Sequence, residues 1–163
     1  MFKKIVFFVL ILTCAATIAF ARNEDRPMEV IRLYVADAEM MHLIPTEITI
    51  RETDTHGEAR AVIAALIRGF DENPKIRRLI PKIRDCMSVR VEGNTAHVNI
   101  TKAMVKNHPE GRDLEYLTVY SIVNSLTSIR GIDNVQFTVD GYIRRDFMGY
   151  MDMRGAFAFK EVV

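Results

Sequence analysis

Several patterns that mark enzymes and metalloproteins are missing from this sequence of 163 residues. It contains no Gly-rich phosphate-binding loop and no Gly-x-Ser-x-Gly nucleophile elbow. None of His42, His56, His97 and His108 lies three or four residues from another histidine, and no Cys/His cluster has the spacing of a zinc site. We therefore predict no enzyme, with no catalytic residues, no metal ligands and no cofactor. Each histidine is interpreted as a surface or turn residue.

An excess of charge of one sign is also missing. The sequence has 22 Lys and Arg residues against 21 Asp and Glu residues, a formal net charge of +1. Because nucleic-acid binding requires a concentrated basic face, we predict no nucleic-acid partner. The hydrophobic content of 49% is that of a globular protein, and the length favours one compact domain.

Cysteine is scarce, since only Cys14 and Cys86 occur. Cys14 lies in a segment that we expect to be removed, so Cys86 is left without a partner for an internal disulfide. We interpret Cys86 as a small apolar residue at a strand edge. A redox or nucleophilic role would require an electropositive setting that the sequence does not show.

The N-terminus has the three parts of a secretory signal peptide. Two lysines precede a short apolar run, and Ala19-Phe20-Ala21 has the small-x-small pattern of a cleavage site. We predict a signal peptide over residues 1–21, a polar leader over residues 22–28 and one domain over residues 29–163. Cleavage near Ala21 would make the protein extracytoplasmic: periplasmic, held in the cell wall or secreted.

Two other fates of this N-terminal segment stay open. An uncleaved signal would anchor the chain, although its apolar run is marginal against the roughly 20 residues that cross a bilayer. Lipidation at Cys14 would anchor it instead, although Thr13 is larger than the residue that usually precedes a lipidated cysteine. We expect contact with a membrane only through one of these two anchors.

The domain begins with two predicted strands. Alternating apolar residues predict a strand from Val30, and residues 40–51 predict a second extended segment. Pro45 marks the second segment as an edge or interrupted strand, because proline cannot donate to a strand ladder.

A first helix is predicted over residues 55–70, where apolar residues recur at helical spacing. Thr55 and Glu58 have the spacing of a capping box at its start. Residues 75–85 are basic and amphipathic, and both a short helix and a packed loop remain open there.

A hairpin is predicted from Met87 to Ile100, with Gly93-Asn94 as its two-residue turn. Counting back from this turn places three apolar pairs on one face, and a slip of one residue would break that match. The predicted pairs are Val91 with Ala96, Val89 with Val98, and Met87 with Ile100.

After a connector over residues 101–112, a second helix is predicted over residues 112–129 and a strand over residues 134–139. Asp140-Gly141 then predicts a turn, followed by a bulge or longer loop because Ile143 would otherwise lie off the core face. We expect the tail from 148 to 163 to pack back as a last strand. The predicted core stripe of the second helix is Val119, Ile122, Val123, Leu126 and Ile129.

The predicted order β-β-α-β-β-α-β-β indicates a single α+β domain. Strands that arrive in pairs, with a helix after each early pair, favour two helices packed on a mixed or antiparallel sheet. The sequence contains no internal repeat and no low-complexity segment.

A few polar residues are candidate catalytic or binding groups. The acids Glu110, Asp113 and Glu115 cluster before the second helix, where capping and the helix dipole account for them. Asn124 lies at apolar spacing in mid-helix, and we predict a structural hydrogen bond to an adjacent loop or strand rather than a ligand contact. The pair Arg144-Arg145 is interpreted as a solvated basic pair, with contact to an anionic partner as the alternative.

The stretch SIVNSLTSIRGIDNVQFTVDG over residues 121–141 resembles the GerM (sporulation and spore germination) domain family. VIRLYVADAEMMHLIPTEITI is similar to the opening strands of that family, EARAVIAALIRGF to its first helix and MSVRVEGNTAHVNIT to its central hairpin. Gly149 and Asp152 match the Gly and Asp that follow its last hairpin, so the likeness covers about residues 28–155. NPKIRRLIPKIRDC departs from it, being basic where the family commonly has a longer Pro-containing segment.

The resemblance implies an extracytoplasmic bacterial domain without known catalysis. Members that act in spore formation resemble scaffolds and are related to ring-building domains of the channel between mother cell and forespore. The family also occurs in bacteria that form no spores. A sporulation role therefore does not follow from the resemblance alone.

The leading hypothesis is a non-catalytic scaffold or interaction module of the cell envelope, which binds other exported proteins or a second copy of itself. An exposed strand edge, at the Pro45 segment or the tail, would suit such pairing. One alternative is a cell-wall ligand-binding domain accessory to envelope enzymes, which needs a pocket with convergent polar groups. The other is an envelope hydrolase whose acids come together only on folding.

Overall fold

The computed structural model describes residues 27–147 and 149–162. The predicted signal peptide, and the leader up to residue 26, lie outside the described residues. The described elements, in chain order, are β1 (Met28–Asp37), β2 (Leu43–Arg51), α1 (Thr55–Arg68), β3 (Ile76–Arg77), β4 (Met87–Glu92), β5 (Thr95–Ile100), α2 (Lys102–Asn107), α3 (Arg112–Thr127) and β6 (Asn134–Val139).

The strands form two three-stranded sheets, ordered β2-β1-β3 and β4-β5-β6. The first is antiparallel throughout, whereas the second is mixed, because β5 pairs antiparallel with β4 and parallel with β6. The α+β class is thereby confirmed, with the strands divided between two sheets. Buried residues from both sheets and from α1 and α3 belong to one hydrophobic cluster, so the domain has a shared core.

The predicted hairpin is confirmed in its register as well as its position. Val91 lies opposite Ala96, Val89 opposite Val98 and Met87 opposite Ile100. Gly93 supplies the positive φ that its two-residue turn requires, at 59°.

Helix α1 is confirmed, but its predicted cap is wrong. The N-cap is Asp54, whose carboxylate accepts a hydrogen bond from the Gly57 N–H at 2.7 Å. Thr55 is instead the first helical residue, so the helix is capped by a carboxylate, which also suits the positive end of the helix dipole.

The C-terminal end of α1 is capped by a side chain of the basic segment that follows it. The Arg78 guanidinium donates to the carbonyl oxygens of Ile67 and Arg68 and pairs with Asp71. Gly69 ends the helix at φ +69°, and a Cβ there would lie 2.5 Å from Nη2 of Arg78. Residues 75–85 thus form a packed loop containing the short strand β3, rather than a helix.

Helix α3 is the central element of the domain; it ends at Thr127, and the five residues of the predicted core stripe, including Ile129 just beyond that end, are all buried. It packs along β1 and also touches α1 and β6. The connector before it contains a helix that the sequence did not predict, α2, capped by Thr101 and held by the buried Met104.

The chain after β6 departs from the prediction. Asp140 and Gly141 both have positive φ, and Val139 and Tyr142 exchange hydrogen bonds across them, so the turn has two residues. The expected bulge or longer loop is wrong, because pairing stops after Tyr142 and leaves Ile143 60% exposed. The expected last strand is reduced to two isolated bridges, between Val135 and Phe157 and between Asp146 and Asp152.

Candidate interaction surface

Helix α3 uses its polar residues to hold the backbone of β1. The Ser121 hydroxyl donates to the Tyr34 carbonyl at 2.6 Å, and the Ser125 hydroxyl accepts from the Tyr34 N–H at 2.9 Å. One further turn along, the Ser128 hydroxyl donates to the Arg32 carbonyl at 2.8 Å. The strand β3 has only two residues and covers only part of this edge of β1. The three serines, spaced along one face of the helix, bond to the backbone of the uncovered part.

Asn124 holds the C-terminal tail in the same way. Its side-chain Nδ2 donates to the Lys160 carbonyl at 2.7 Å, and its Oδ1 accepts from the Lys160 N–H at 3.1 Å. The amide thus replaces the two backbone groups of a neighbouring strand. The sequence-based prediction of a structural hydrogen bond to an adjacent segment is confirmed.

The tail is held further by aromatic rings. Phe157 packs edge-on to Phe137 and Tyr120, and exchanges two backbone hydrogen bonds of 2.8 Å with Val135. The Lys160 ammonium lies over the rings of Tyr116 and Tyr120, and its hydrogen bond with the Tyr116 hydroxyl raises the pKa of Lys160. The tail therefore covers the edge of β6.

Glu115 has a role that the sequence did not predict. Its side chain is fully buried, and its two carboxylate oxygens accept hydrogen bonds from the N–H groups of Tyr150 and Met151. Capping or dipole complementarity alone is therefore the wrong account of this acid. Asp113, two residues earlier in the first turn of α3, is exposed, as expected of a residue that interacts only with the helix dipole.

His108 is likewise buried rather than on the surface or in an exposed turn. Its Nδ1 lies 2.7 Å from the Pro109 carbonyl, which can only accept, so Nδ1 carries the proton and Nε2 accepts from the Thr118 hydroxyl at 2.7 Å. The ring meets Phe147 edge-on. Burial lowers the pKa of His108, although the carboxylate of Glu115 acts in the opposite direction.

The Asp140-Gly141 turn is held by residues of the neighbouring chain segment. The Asn99 Oδ1 accepts hydrogen bonds from the Gly141 N–H at 2.6 Å and from the Thr138 hydroxyl at 3.0 Å. The Asp140 carboxylate accepts from the Lys102 N–H, which lowers the pKa of Asp140. These polar residues stabilise the turn and leave no reactive group there.

The remaining histidines and the cysteine are not brought together. His42 pairs with Asp37, His56 accepts from the Val91 N–H, and His97 lies near Glu92. Cys86 is buried, as its interpretation as a small apolar residue requires, and burial raises the pKa of its thiol. Within residues 27–147 and 149–162, no three His, Cys, Asp or Glu side chains are grouped in a way that could hold a metal ion.

Grooves on the surface of the described residues offer places for a ligand. A groove of about 740 Å³ lies beside the end of α1. It combines the apolar side chains of Ile67, Phe70 and Ile83 with charged residues on its rim. Arg144 and Arg145 lie elsewhere and are exposed.

The second groove, of about 580 Å³, brings together acids from distant segments. Glu29 on β1 and Glu58 on α1 share a hydrogen bond between their carboxyl groups. The pKa of Glu58 is raised, first by burial and then by the charge of Glu29. Glu47 and Asp54 also line this groove.

The outer edge of β2 is the long free edge of the first sheet, since no strand or bridge of the described residues pairs with it. Tyr34 uses its backbone groups on the serines of α3, so its register partner Pro45 is not hydrogen-bonded to it. Because bonded pairs alternate in an antiparallel ladder, Pro45, Glu47, Thr49 and Arg51 direct their backbone groups away from β1. Pro45 is thereby confirmed on an edge strand.

The buried polar side chains are engaged in hydrogen bonds within the domain. Every buried side-chain nitrogen and oxygen of the described residues has a hydrogen-bond partner. No described helix has the length and apolarity that a bilayer crossing demands. Among residues 27–147 and 149–162, seven large apolar side chains are at least half exposed: Met28, Val30, Met41, Tyr142, Ile143, Tyr150 and Phe159.

Comparison with known proteins gives one family and several similar structures. The Germane family model, described as sporulation and spore germination, matches residues 32–143, which is 143 − 32 + 1 = 112 of the 163 residues. No curated protein matches the sequence significantly.

The solved structures that the chain resembles share its fold at low sequence identity. A candidate lipoprotein from Clostridium perfringens superposes with a TM-score of 0.59 at 19% identity, covering 80% of this chain and 87% of that one. The first GerMN domain of the sporulation protein GerM from Bacillus subtilis gives 0.57 at 16%, covering 83% and 96%. The tandem GerMN domains of the same protein give 0.61 at 16%, and there this chain, of which 84% is covered, spans 46% of the longer one.

Proposed function

Because the chain belongs to the Germane (sporulation and spore germination) family, we propose that it is a non-catalytic interaction or scaffolding module of the bacterial cell envelope. It binds other exported proteins or a second copy of itself. The observation that carries the proposal is the outer edge of β2, a strand of nine residues with backbone groups directed outward. Such an edge binds an extended segment through main-chain hydrogen bonds.

The roles of the polar residues support this proposal. The serines of α3, Asn124 and Glu115 each bind backbone groups within the domain, as does Asn99. A catalytic group must instead reach a substrate, and these side chains are occupied by the fold. These polar side chains therefore stabilise the domain, and recognition of a partner falls to the surface.

An envelope location is part of the same proposal. The N-terminal segment has the pattern of a secretory signal, and one similar structure is that of a candidate lipoprotein. Intact-mass measurement of the protein recovered after export separates the possibilities. A mass that begins at residue 22 indicates cleavage after Ala21, whereas a lipid mass on Cys14 indicates the lipoprotein route.

The interaction role is tested by light scattering on the exported protein across a concentration series, together with capture of purified exported proteins from the same envelope. Growth in mass, or a defined complex with an exported partner, is the expected result. A strict monomer that retains no exported protein would contradict the proposal.

A cell-wall ligand-binding role is the second candidate, and the groove beside the end of α1 favours it. Ile67, Phe70 and Ile83 line the groove with apolar side chains, and its charged lining residues include both bases and acids, Lys82, Arg84, Asp71 and Glu72. A cell-wall fragment with an aliphatic part and charged groups would suit this combination. Calorimetric titration with soluble cell-wall fragments tests it, with Ile83→Ala as the variant expected to lose the heat of binding.

The hydrolase alternative has one observation in its favour, the pair Glu29 and Glu58. A carboxylic acid with a raised pKa beside a second carboxylate is an arrangement that glycoside hydrolases use. Glu58→Gln would abolish any release of soluble fragments from purified cell wall, whereas Glu72→Gln at the other groove would not. Absence of release by the unaltered protein would contradict the hydrolase alternative and leave the interaction and ligand-binding roles.

A further inference from the structure

The outer edge of β2 carries a charge pattern that is complementary to itself. From Glu47 to Arg51 the chain reads Glu-Ile-Thr-Ile-Arg, with an acid at one end and a base at the other. Glu47, Thr49 and Arg51 are exposed and lie on one face of the strand. An antiparallel copy of this window therefore brings an acid opposite a base at both ends.

The sequence selects one register for such a pair. Centring it on Thr49 places Thr49 opposite Thr49 of the other copy, and Glu47 opposite Arg51 twice. Like charges directly opposite each other destabilise a sheet, so registers centred on Glu47 or on Arg51 are disfavoured. Centring on Glu47 would also set Pro45 opposite Thr49, where the proline lacks the N–H that the ladder needs.

The backbone agrees with the register chosen by charge. The residues that direct their N–H and C=O groups outward are Glu47, Thr49 and Arg51, the same three that would face each other. Each of the three pairs would exchange two bonds, about six hydrogen bonds in all. On the other face, Ile48 would lie opposite Ile50 of the second copy, which continues the apolar side of the sheet.

We propose that two copies of this chain pair through β2, antiparallel and centred on Thr49, into one six-stranded sheet ordered β3-β1-β2-β2-β1-β3. The pairing is a two-fold symmetric interface, since each copy contributes the same surface. Arg51 has five N–H donors, so facing Glu47 of the second copy does not require it to give up another contact. The inference rests on the proposed interaction role and names its partner.

Charge reversal tests the register. In the exported protein, Glu47→Lys places two bases opposite each other at both ends of the window, and Arg51→Glu places two acids there. Each variant is expected to weaken self-association, measured by light scattering, at least about tenfold. An equal mixture of the two variants restores opposite charges at both ends, and so does the double variant, so both should associate like the unaltered protein. Glu39→Lys, an exposed charge change in the turn after β1, is the matched control and should leave association unchanged.

The outcomes separate this inference from the function on which it rests. Association that neither single variant weakens, or that the mixture fails to restore, overturns the β2 pairing and leaves self-association through another surface. A monomer at all concentrations that still forms a complex with another exported protein overturns the pairing but keeps the interaction role. A monomer that binds no exported protein overturns both.

Discussion

The two outer edges of the first pair of strands are treated in opposite ways. Along β1, the hydroxyls of the α3 serines bond to the backbone of Arg32 and Tyr34, so a helix closes the edge that a strand would otherwise occupy. Along β2, no described strand or bridge follows, and Pro45 alone interrupts the outward row of donors. Polar side chains of the domain therefore bond to the backbone of the β1 edge, whereas the backbone groups of the β2 edge can bond to another chain.

Other parts of the chain cover the outer edges of the second sheet in part. The tail and the turn residue Tyr142 each bridge to β6, and His56 accepts from the backbone of β4. An unprotected strand edge is a hazard, because it pairs with other chains. The nine-residue outer edge of β2, which no described strand or bridge covers, is therefore the edge at which we propose that a partner binds.

The largest effect on the closed side is expected at Glu115. Glu115→Ala would leave the N–H groups of Tyr150 and Met151 without an acceptor and lower the free energy of unfolding by about 3 kcal/mol. Chemical denaturation measures this loss. Asp113→Ala is the control, since that exposed acid contributes only through the helix dipole, and equal losses for the two variants would refute the assigned role.

Ser125 gives the next largest effect. Ser125→Ala removes the acceptor of the Tyr34 N–H and should lower the free energy of unfolding by about 1.5 kcal/mol. Thr127→Ala is matched to it, because the Thr127 hydroxyl bonds only to carbonyls of its own helix and its loss should cost under about 0.5 kcal/mol. If both substitutions were equally mild, the serines would not be what closes the edge of β1.

His108 predicts a pH dependence for the same closed region. Because burial lowers its pKa below the usual 6.5, the unfolded chain takes up a proton more readily than the folded one. Stability contributed by this residue is therefore present at neutral pH and is lost as pH falls from 6.5 towards the folded pKa. His108→Gln should flatten the decline seen in unfolding experiments between neutral and mildly acidic pH, whereas His42→Gln, at an exposed site, should not.

The smallest effect concerns Glu58, near the open edge. Its raised pKa means that the folded state binds the proton more tightly, so its contribution to stability falls as pH rises above 4.5. Glu58→Gln should then stabilise the protein at neutral pH by at most about 0.5 kcal/mol, with the gain vanishing in acid. A variant that is less stable than the parent at neutral pH would contradict the acid pair.

Features set by local pattern were predictable from the sequence. The hairpin register follows from a turn dipeptide and the two-residue period of strands, and the core stripe of α3 follows from the helical period. The positions of Glu115 and His108 were not predictable, because their partners lie up to 36 residues away and only folding brings them together. Asn124 was predicted to bond an adjacent segment because a polar amide at an apolar position needs a partner.

The strand that the sequence predicts after β6 does not form, and the cause is different. Alternation beyond Asp140-Gly141 is too weak to maintain pairing, and Ile143 stays exposed instead of joining the core. Likewise, the hydroxyls that close β1 read as ordinary helix residues, because their acceptors belong to another element of the chain. The candidate surface could therefore be anticipated only as an edge near Pro45, without its register.

Amide hydrogen exchange compares the two edges most directly. The account predicts that the Tyr34 N–H, held by Ser125, is protected at every concentration. It predicts that the Thr49 N–H exchanges quickly in dilute solution and slows as the protein is concentrated or given its exported partner. Protection of Thr49 in the dilute monomer, or rapid exchange of Thr49 under all conditions, would contradict an edge left open for a partner.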